Sequence, residues 1–304
     1  MLEKKKKKSG LNSERRKDFW FMIAIIALPM IQYCMETLWI RLDTYILAFC
    51  HYTGGIDDGF RTWAGLYNIK EVLSDVFNEP LFKTMLKNGL IRYLVPLPIS
   101  LFEIVITYYM FRKFPFTSGF RTILYIPMMT AGMASTMMAK FFMNFTLPDM
   151  FGLEKGLLQD NNTAFWALII YGKWVNLGGS ILGQLAVMNS TDLNTLEAGQ
   201  LDGVGFFGEL WHIVLPKSYR FISLGFILGV ALIFTGDGGL IPYYGENAPS
   251  ELWGIGYYTA MGVRAAAPHE YPYYAAFGVC LTIVLTPTLI GLRKAVFKFG
   301  PSED

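Results

Sequence analysis

The sequence predicts an all-α integral membrane protein with six transmembrane helices. Three observations lead to this prediction: an apolar composition, six long apolar segments, and one moderately polar stretch between the fourth and fifth of them. Of the 304 residues, 53% are hydrophobic and only 16% are charged, and the mean hydropathy is +0.35. Soluble domains carry about 25% charged residues. The helices are therefore expected to lie in lipid, and the net charge of +2 gives no field that would favour nucleic acid as a partner.

Residues 1–18 form a basic tail that is expected to stay on the cytoplasmic side. Its basic side chains are Lys4 through Lys8, Arg15, Arg16 and Lys17. The apolar segment that follows is too long for a secretory signal, and no small-residue cleavage site comes after it. The pattern favours a tail that sets topology by the positive-inside rule, while binding of the lysines to membrane lipid stays open.

Six spans are predicted from length and apolarity, each long enough for a hydrocarbon layer of about 30 Å. They lie near residues 19–40, 89–111, 120–143, 164–188, 219–236 and 273–292. The helix of the first span can extend as far as Cys50. The longest outer piece, Arg41 to Asn88, carries glycine turn signals at residues 54–59 and a short amphipathic helix over Ile69 to Phe77.

The distribution of lysine and arginine predicts the orientation. Most of these residues fall in the two termini, in the loop between spans two and three, and just after the polar stretch. Basic residues accumulate in cytoplasmic segments of membrane proteins. Both termini and the polar stretch are therefore predicted to face the cytoplasm.

The polar stretch, residues 194–216, predicts two short helices joined by a turn. Asn194 followed by Glu197 is a capping signature, and Gly203 and Gly205 can adopt left-handed backbone angles that let the chain reverse. The second helix is expected to end at Pro216, and its apolar face comprises Phe206, Phe207, Leu210, Trp211 and Val214. An amphipathic loop that packs on its own bundle would show the same pattern.

The spacing in this stretch resembles the EAA signature of the inner-membrane permeases of ATP-binding-cassette (ABC) importers. The residues that carry the resemblance are Glu197, Ala198, Gly203, Ile213, Leu215 and Pro216. Asp202 with Gly203 is similar to the DG pair of the sugar-type branch, whereas Gly199 stands where the signature has alanine. The resemblance implies a type I importer permease fold, with a single transmembrane domain over residues 19–300 and cytoplasmic coupling helices.

A second, weaker resemblance lies after the fifth span. Thr235 to Gly239 is similar to the T-x-GGP pattern of maltose-transporter permeases, with Leu240 in place of the proline. This similarity favours the F-type subunit of that transporter over its G-type subunit.

The family resemblance implies that the polar stretch couples this chain to a separate ATPase. The residues assigned to coupling are Glu197, Ala198, Gly199, Asp202, Gly203, Phe206, Ile213, Leu215 and Pro216. The first short helix would dock in a groove of the ATPase, with Glu197 making polar contacts and Gly203 allowing a close turn. The implied partners are two ABC ATPase subunits, a second permease in a heterodimer, and an extracytoplasmic solute-binding protein.

The sequence predicts a transport subunit and not an enzyme. It contains no G-x-x-x-x-G-K-[ST] phosphate-binding loop, so ATP and Mg²⁺ are expected on the partner ATPase and no cofactor on this chain. No histidine, cysteine and carboxylate residues occur at metal-ligand spacing, and no nucleophile motif is present.

Four polar residues inside the predicted spans are assigned to the substrate path: Glu103, Lys173, Asn176 and Gln184. Ionisable groups in a membrane tend to face a cavity or a partner. Snorkelling of Lys173 to the interface and hydrogen bonding between helices are alternative explanations. The G-x-x-x-G spacing at Gly179–Gly183 and Gly225–Gly229 predicts close helix packing in spans four and five.

The predicted function is that of a permease subunit forming half of the pathway for a carbohydrate across the bacterial cytoplasmic membrane. An amino acid, a peptide or an osmolyte is an alternative cargo, because the coupling element is common to all these importers. A stand-alone secondary transporter or a membrane scaffold is an alternative function that would need no ATPase.

Overall fold

The computed structural model of the protein describes residues 2–53, 60–130 and 132–301. The predicted turn at residues 54–59 lies outside these ranges. The first half of the chain contains α1 (Leu2–Cys34), α2 (Arg41–Leu47), β1 (Cys50–Thr53), β2 (Phe60–Trp63), α3 (Tyr67–Asn78), α4 (Pro80–Leu94), α5 (Leu97–Phe111), α6 (Thr117–Met129), α7 (Gly132–Phe141) and α8 (Leu147–Phe151). The second half contains α9 (Asn161–Met188), α10 (Leu193–Leu201), α11 (Phe206–Glu209), α12 (Leu215–Thr235), α13 (Leu240–Tyr244), α14 (Ile255–Ala265) and α15 (Tyr271–Phe299).

Five short helical turns complete the secondary structure of the described residues. Three are π-helical, and they are Met35–Ile40, Phe142–Thr146 and Leu210–Val214. Two are 3₁₀ turns, Ser250–Leu252 and Pro268–Glu270. The π-helical turns join α-helices on both sides without a loop, so α1 with α2, and α11 with α12, form continuous helical rods.

The chain forms two compact units, of which the first comprises Met1–Val72 and Ala266–Cys280. Its long N-terminal helix ends at Leu47, close to the predicted limit at Cys50. Its apolar side chains between Phe19 and Ile46 are largely exposed, as expected of a helix surrounded by lipid.

A small β-hairpin in this first unit corrects the all-α prediction. β1 pairs with β2 in antiparallel register, with Cys50 opposite Trp63 and Thr53 opposite Phe60. Aromatic and β-branched residues in Cys50–Thr53 and Phe60–Trp63 favour strands, whereas the sequence analysis predicts only turns and a short helix in this outer piece. Asn68, which is 4% exposed, supports the hairpin by donating hydrogen bonds to the carbonyls of Ala48 (3.0 Å) and Cys50 (2.8 Å).

Four helical segments among the described residues are long and apolar enough to cross a membrane. They are Lys17–Leu47, Pro80–Phe111, Phe206–Thr235 and Pro268–Lys298. The predicted span at 120–143 is divided between α6 and α7, because Thr130 adopts an extended backbone. The predicted span at 164–188 lies within α9, which carries Lys173 and several polar side chains. The amphipathic helix predicted over Ile69 to Phe77 is confirmed as α3.

The second unit comprises Leu73–Ala265 and Leu281–Asp304, and α9 runs through it against α5 and α6. Two of the four predicted close-packing glycines meet a neighbouring helix. A Cβ added to Gly183 would lie 2.6 Å from the Phe221 ring, and one added to Gly229 would lie 2.6 Å from the Tyr93 ring. Gly179 makes only an ordinary contact and Gly225 faces open space.

The tightest helix approach in α9 is at Gly178, which the G-x-x-x-G pattern did not single out. A Cβ there would lie 2.5 Å from the backbone carbonyl oxygen of Leu124 in α6. A backbone atom cannot rotate away as a side chain can, so this contact fixes the separation of α6 and α9.

Alanine at position 178 is expected to destabilise the protein by roughly 1–3 kcal/mol, as overpacking does elsewhere. Gly172 of the same helix is the matched control, because a Cβ there has no atom within 4 Å. Gly172→Ala should be neutral or slightly stabilising, since glycine weakens a helix interior. Thermal unfolding of the purified variants in the same detergent measures the difference, and equal midpoints would show that α6 and α9 do not depend on this contact.

Candidate functional site

The first short helix of the polar stretch begins earlier than predicted. Asp192 is the N-cap of α10, and its carboxylate accepts a hydrogen bond from the backbone N–H of Asn194 (3.1 Å). The predicted capping role of Asn194 with Glu197 is therefore wrong. A carboxylate at this place satisfies a free N–H and also interacts favourably with the helix dipole, and Glu197 is left exposed within the helix.

The predicted reversal at Gly203 is confirmed, and it follows the Schellman geometry. Gly203 has φ +80°, its N–H donates to Gln200 O (3.0 Å), and the N–H of Val204 donates to Gly199 O (3.0 Å). These two bonds satisfy carbonyls at the helix end and require a left-handed residue between them, which glycine supplies without steric strain. Gly205 has φ −75°, so the prediction of a left-handed angle there is wrong.

The second helix does not end at Pro216, contrary to the prediction. Pro216 lies in the first turn of α12, directly after the π-helical turn Leu210–Val214. The π-helical turn changes the backbone hydrogen-bond pattern just before Pro216, so the missing N–H of the proline does not end the helical rod. The second half of the polar stretch is therefore the beginning of the long helical segment that ends at Thr235.

The predicted apolar face divides into a packed part and an exposed part. Leu210 and Val214 are buried against Tyr108 of α5 and Met188 of α9. Phe207 and Trp211 point the other way and are 70% and 67% exposed.

Leu201, at the end of α10, is 90% exposed and was not singled out in the sequence. Asp202 and Glu197 are exposed beside it, and a Cβ on Gly203 would have no atom within 4 Å. The exposed apolar surface of the polar stretch therefore comprises Leu201 of α10, Phe207 of α11 and Trp211 of the π-helical turn. We call this surface the docking face.

Gly199, the departure from the EAA signature, packs against another signature residue. A Cβ at position 199 would lie 2.6 Å from Cδ1 of Ile213. Glycine here lets the two short helices approach with Ile213 between them. Ala198 is exposed, while Leu215 and Pro216 are half-buried at the start of α12.

A charged cluster lies beneath the docking face, and the sequence analysis missed it. Glu209 is 3% exposed, and its Oε1 lies 3.5 Å from Nη1 of Arg112, the residue that ends α5. Gln200 of α10 joins them, since its amide oxygen accepts from Nη1 of Arg112 (2.9 Å) in the orientation that satisfies both groups. Neither Arg112 nor Glu209 is among the predicted site residues. The available signal was one carboxylate in an otherwise apolar helix face.

Three of the four residues assigned to the substrate path meet between α5 and α9. Lys173 Nζ lies 2.9 Å from Oε1 of Glu103 and also donates to Ser100 Oγ (2.9 Å). Glu103 is only 2% exposed. One helical turn further along α5, the Thr107 hydroxyl donates to Gln184 Oε1 (3.2 Å), and Gln184 is 8% exposed.

Asn176 does not join this group. It is exposed, and its amide donates to the Gly172 carbonyl of its own helix (2.8 Å). Two cavities near the start of α9, of about 420 and 220 Å³, are not lined by any of the four residues. The charged pair between α5 and α9 is therefore a closed contact in this conformation.

The segment after α12 is held in place by polar contacts from α4. Arg92 donates to Leu252 O (2.7 Å), and its guanidinium lies 5.0 Å from the centre of the Phe165 ring. Asn88 donates to the carbonyls of Glu251 and Trp253 (2.8 and 2.9 Å). These bonds satisfy carbonyls of a segment with little regular structure of its own.

Asp237 closes the turn that follows α12. Its carboxylate accepts from the N–H groups of Gly239 (3.2 Å) and Ile241 (3.3 Å). The Tyr244 hydroxyl donates to Leu158 O (2.8 Å), and burial raises the pKa of Tyr244, so this tyrosine stays neutral and keeps its hydrogen bond at physiological pH.

No group of three or more histidine, cysteine, aspartate or glutamate residues that could hold a metal ion occurs in the described part of the chain. Three features of the described residues are candidates for function: the apolar docking face, the charged cluster of Arg112, Glu209 and Gln200, and the ion pair between α5 and α9.

Comparison with known proteins finds ABC transporter permeases. The chain is 25% identical over 316 residues to the polygalacturonan/rhamnogalacturonan transport system permease protein YteP of Bacillus subtilis, a match that covers 98% of this chain and 93% of YteP. No protein-family model matches the chain.

Two solved structures share the fold. One is a bacterial ABC transporter involved in the import of the acidic polysaccharide alginate, with a TM-score of 0.71 at 17% identity, covering 93% of this chain and 97% of the matched chain. The other is a bacterial alginate ABC transporter in complex with alginate pentasaccharide-bound periplasmic protein, with a TM-score of 0.69 at 17% identity, covering 91% and 93%. The chain thus has the fold of an ABC importer permease and is similar in sequence to carbohydrate permeases.

Proposed function

We propose that this chain is a permease subunit of an ATP-driven ABC importer and forms half of the membrane pathway for a carbohydrate. The observation that carries the proposal is the docking face. It displays exposed apolar side chains on two short helices whose residues match the EAA spacing, and the second helix is continuous with α12. An ATPase that moves this face would move α12 with it.

The partners follow from what the chain has and lacks. Two ABC ATPase subunits bind ATP and Mg²⁺, and one of them receives Leu201, Phe207 and Trp211, while the exposed Glu197 makes polar contacts at the edge. A second permease completes the pathway and receives the other ATPase. A solute-binding protein delivers the cargo, a role supported by the periplasmic protein bound to the related alginate transporter.

The proposed setting is the bacterial cytoplasmic membrane, with six spans and both termini in the cytoplasm. The charge bias of the sequence supports this orientation, in which the docking face would lie on the side where ATP is available. The third and fourth spans are α6 with α7, and α9, in addition to the four segments that are long and apolar enough by themselves.

The cargo is an oligosaccharide. YteP is named for polygalacturonan and rhamnogalacturonan, and the solved transporters carry alginate. All three polysaccharides contain uronic acids, so acidic oligosaccharides are the first to test. Amino acids, peptides and osmolytes form the alternative class, because the docking face is independent of cargo.

Reconstitution with the cognate ATPase, second permease and binding protein in nanodiscs tests the function. We expect ATP hydrolysis to rise severalfold, within the range of about 5–150-fold typical of coupled sites, when the binding protein is loaded with oligogalacturonate, alginate oligosaccharide or maltotriose. An amino acid mixture, a dipeptide mixture and glycine betaine serve as controls. Stimulation of ATP hydrolysis by a control compound alone would contradict the proposed carbohydrate cargo. Absence of any ATPase from the purified complex would contradict the proposed ABC importer function.

A further inference from the structure

The charged cluster beneath the docking face connects three helices that are separate in the sequence. Gln200 belongs to α10, Glu209 ends α11, and Arg112 caps α5. The rings of Tyr108 and Phe206 lie 4.7 Å apart beside the cluster, so α5 and α11 are in direct apolar contact there as well. Both short helices of the polar stretch therefore contact the C-terminal end of α5.

The burial of Glu209 makes this contact specific. At 3% exposure the Glu209 side chain has lost almost all its water, and a buried carboxylate requires a partner of opposite charge or several hydrogen bonds. Arg112, 3.5 Å away, is the cation that faces it. A displacement that carried α10 and α11 away from α5 would leave Glu209 without compensation. The ion pair therefore opposes separation of α11 from α5.

The same helix carries the charged pair deeper in the bundle. Glu103 precedes Arg112 by nine residues, which corresponds to about 14 Å along an α-helix. Glu103 pairs with Lys173 of α9 at 2.9 Å. One continuous helix, α5, is thus ionically joined to the polar stretch at one end and to α9 near its middle.

A purely structural role predicts a different behaviour. Arg112 at the C-terminal end of α5 also interacts favourably with the helix dipole and with free carbonyls. The interaction of Arg112 with the end of α5 needs a positive charge at position 112 and does not depend on the charge at position 209. The two roles therefore differ in whether exchange of the two charges restores function.

We propose that Arg112, Glu209 and Gln200 are positioning residues that transmit movement of the docking face to α5, and through Glu103 and Lys173 to α9. The inference rests on the proposed ABC importer function. Helices α9 and α12 flank the polar stretch in the sequence, so their movement with it follows from the chain connection. The inference adds α5, which is not adjacent to the polar stretch in the sequence, to the helices that move. Because spatial proximity alone does not demonstrate coupling, the test is a charge-exchange cycle.

The experiment uses the complete transporter in nanodiscs and in inverted or right-side-out vesicles as each assay requires. It measures ATP hydrolysis with and without loaded binding protein, and uptake of the sugar that stimulates the wild type most. Arg112→Glu and Glu209→Arg are made singly and together, with Gln200→Leu as a variant of the third member. Arg121→Ala is the matched control, since it removes an exposed basic residue from the next helix, α6.

Each single reversal is expected to reduce uptake per ATP hydrolysed by about tenfold or more, while basal ATP hydrolysis persists. The double reversal should recover uptake to within about threefold of wild type, because the ion pair is restored with its charges exchanged. Gln200→Leu should give a smaller loss, and Arg121→Ala none. All values are normalised to the amount of assembled complex.

Full coupling in assembled Arg112→Glu transporters would overturn the proposal. So would a double reversal that assembles normally but stays as uncoupled as the singles. If a reversal fails to assemble, Arg112→Gln and Glu209→Gln replace it. Each removes one charge and keeps a polar side chain, so unchanged coupling in both would also contradict the proposal. A wild-type complex that no sugar stimulates would instead contradict the proposed function, so the two failures are distinguishable.

Discussion

Gly203→Trp is expected to abolish sugar uptake while the protein still inserts into the membrane. Gly203 has φ +80° at an exposed turn, and no atom of the described residues lies within 4 Å of an added Cβ. An indole at position 203 does not disturb the packing of the chain itself. It would project from the docking face and prevent close contact with the ATPase subunit. The left-handed angle adds about 1–2 kcal/mol of local strain for a residue with a Cβ. Uptake and ATP hydrolysis in the assembled complex measure the effect, with membrane abundance determined by immunoblot.

Gly203→Asn separates strain from obstruction. Asparagine tolerates the left-handed region better than other residues with a side chain and is much smaller than tryptophan. We expect Gly203→Asn to keep most transport and Gly203→Trp to lose it by about 100-fold, toward the upper end of allosteric coupling. Glu197→Lys, on the same exposed face, should also uncouple transport without loss of insertion. Normal uptake by both Gly203→Trp and Glu197→Lys would show that this face does not bind the ATPase.

Single substitutions in the pair between α5 and α9 are expected to be the most destabilising in the molecule. Glu103→Leu leaves Lys173 as a charge without its ionic partner, and Lys173→Met leaves the carboxylate of Glu103, which is 2% exposed, uncompensated. Breaking one side of a buried ion pair costs about 3–5 kcal/mol in soluble proteins. Thermal unfolding and the yield of folded protein in detergent should both fall for each single variant.

The double variant Glu103→Leu with Lys173→Met distinguishes a structural pair from a substrate contact. Replacement of both charges by apolar groups is often neutral for stability, so folding should recover. If the pair also belongs to the substrate path, transport stays impaired in the stable double variant, most clearly as a raised KM for uptake. Recovery of both folding and transport would exclude Glu103 and Lys173 from the path.

The sequence predicts features that depend on local spacing. The turn at Gly203 follows from a glycine at the end of a short helical pattern, and α3 follows from an amphipathic period. Local errors arose where two residues competed for one role. Asp192 caps α10 in place of Asn194, and Pro216 continues a helix because the π-helical turn before it shifts the hydrogen-bond pattern.

Pairing across helices lies beyond what spacing can predict. Glu103 and Lys173 were each identified as unusual, but they are 70 positions apart, and their contact depends on how α5 and α9 are rotated about their axes. The same holds for Arg112 with Glu209. The exposure of single side chains is equally hard to predict from spacing. Phe206 and Phe207 are neighbours on one predicted apolar face, yet the Phe206 ring packs 4.7 Å from the Tyr108 ring and Phe207 is 70% exposed.

Because no loop separates α11 from α12, the number of residues between them determines how their side chains are oriented around the common helix axis. From Phe206 to Thr235 the 30 residues form one rod, with the docking face near one end and Gly229 against the Tyr93 ring toward the other. A helix turns by about 100° for each residue. One residue added within Leu210–Val214 would therefore swing Phe207 about a quarter-turn around the rod relative to Gly229, with every side chain intact. The angle around the helix axis between Phe207 and Gly229 is set by the number of residues between them. A single insertion or deletion there would therefore change the direction in which movement of the docking face is transmitted, without altering any contact residue.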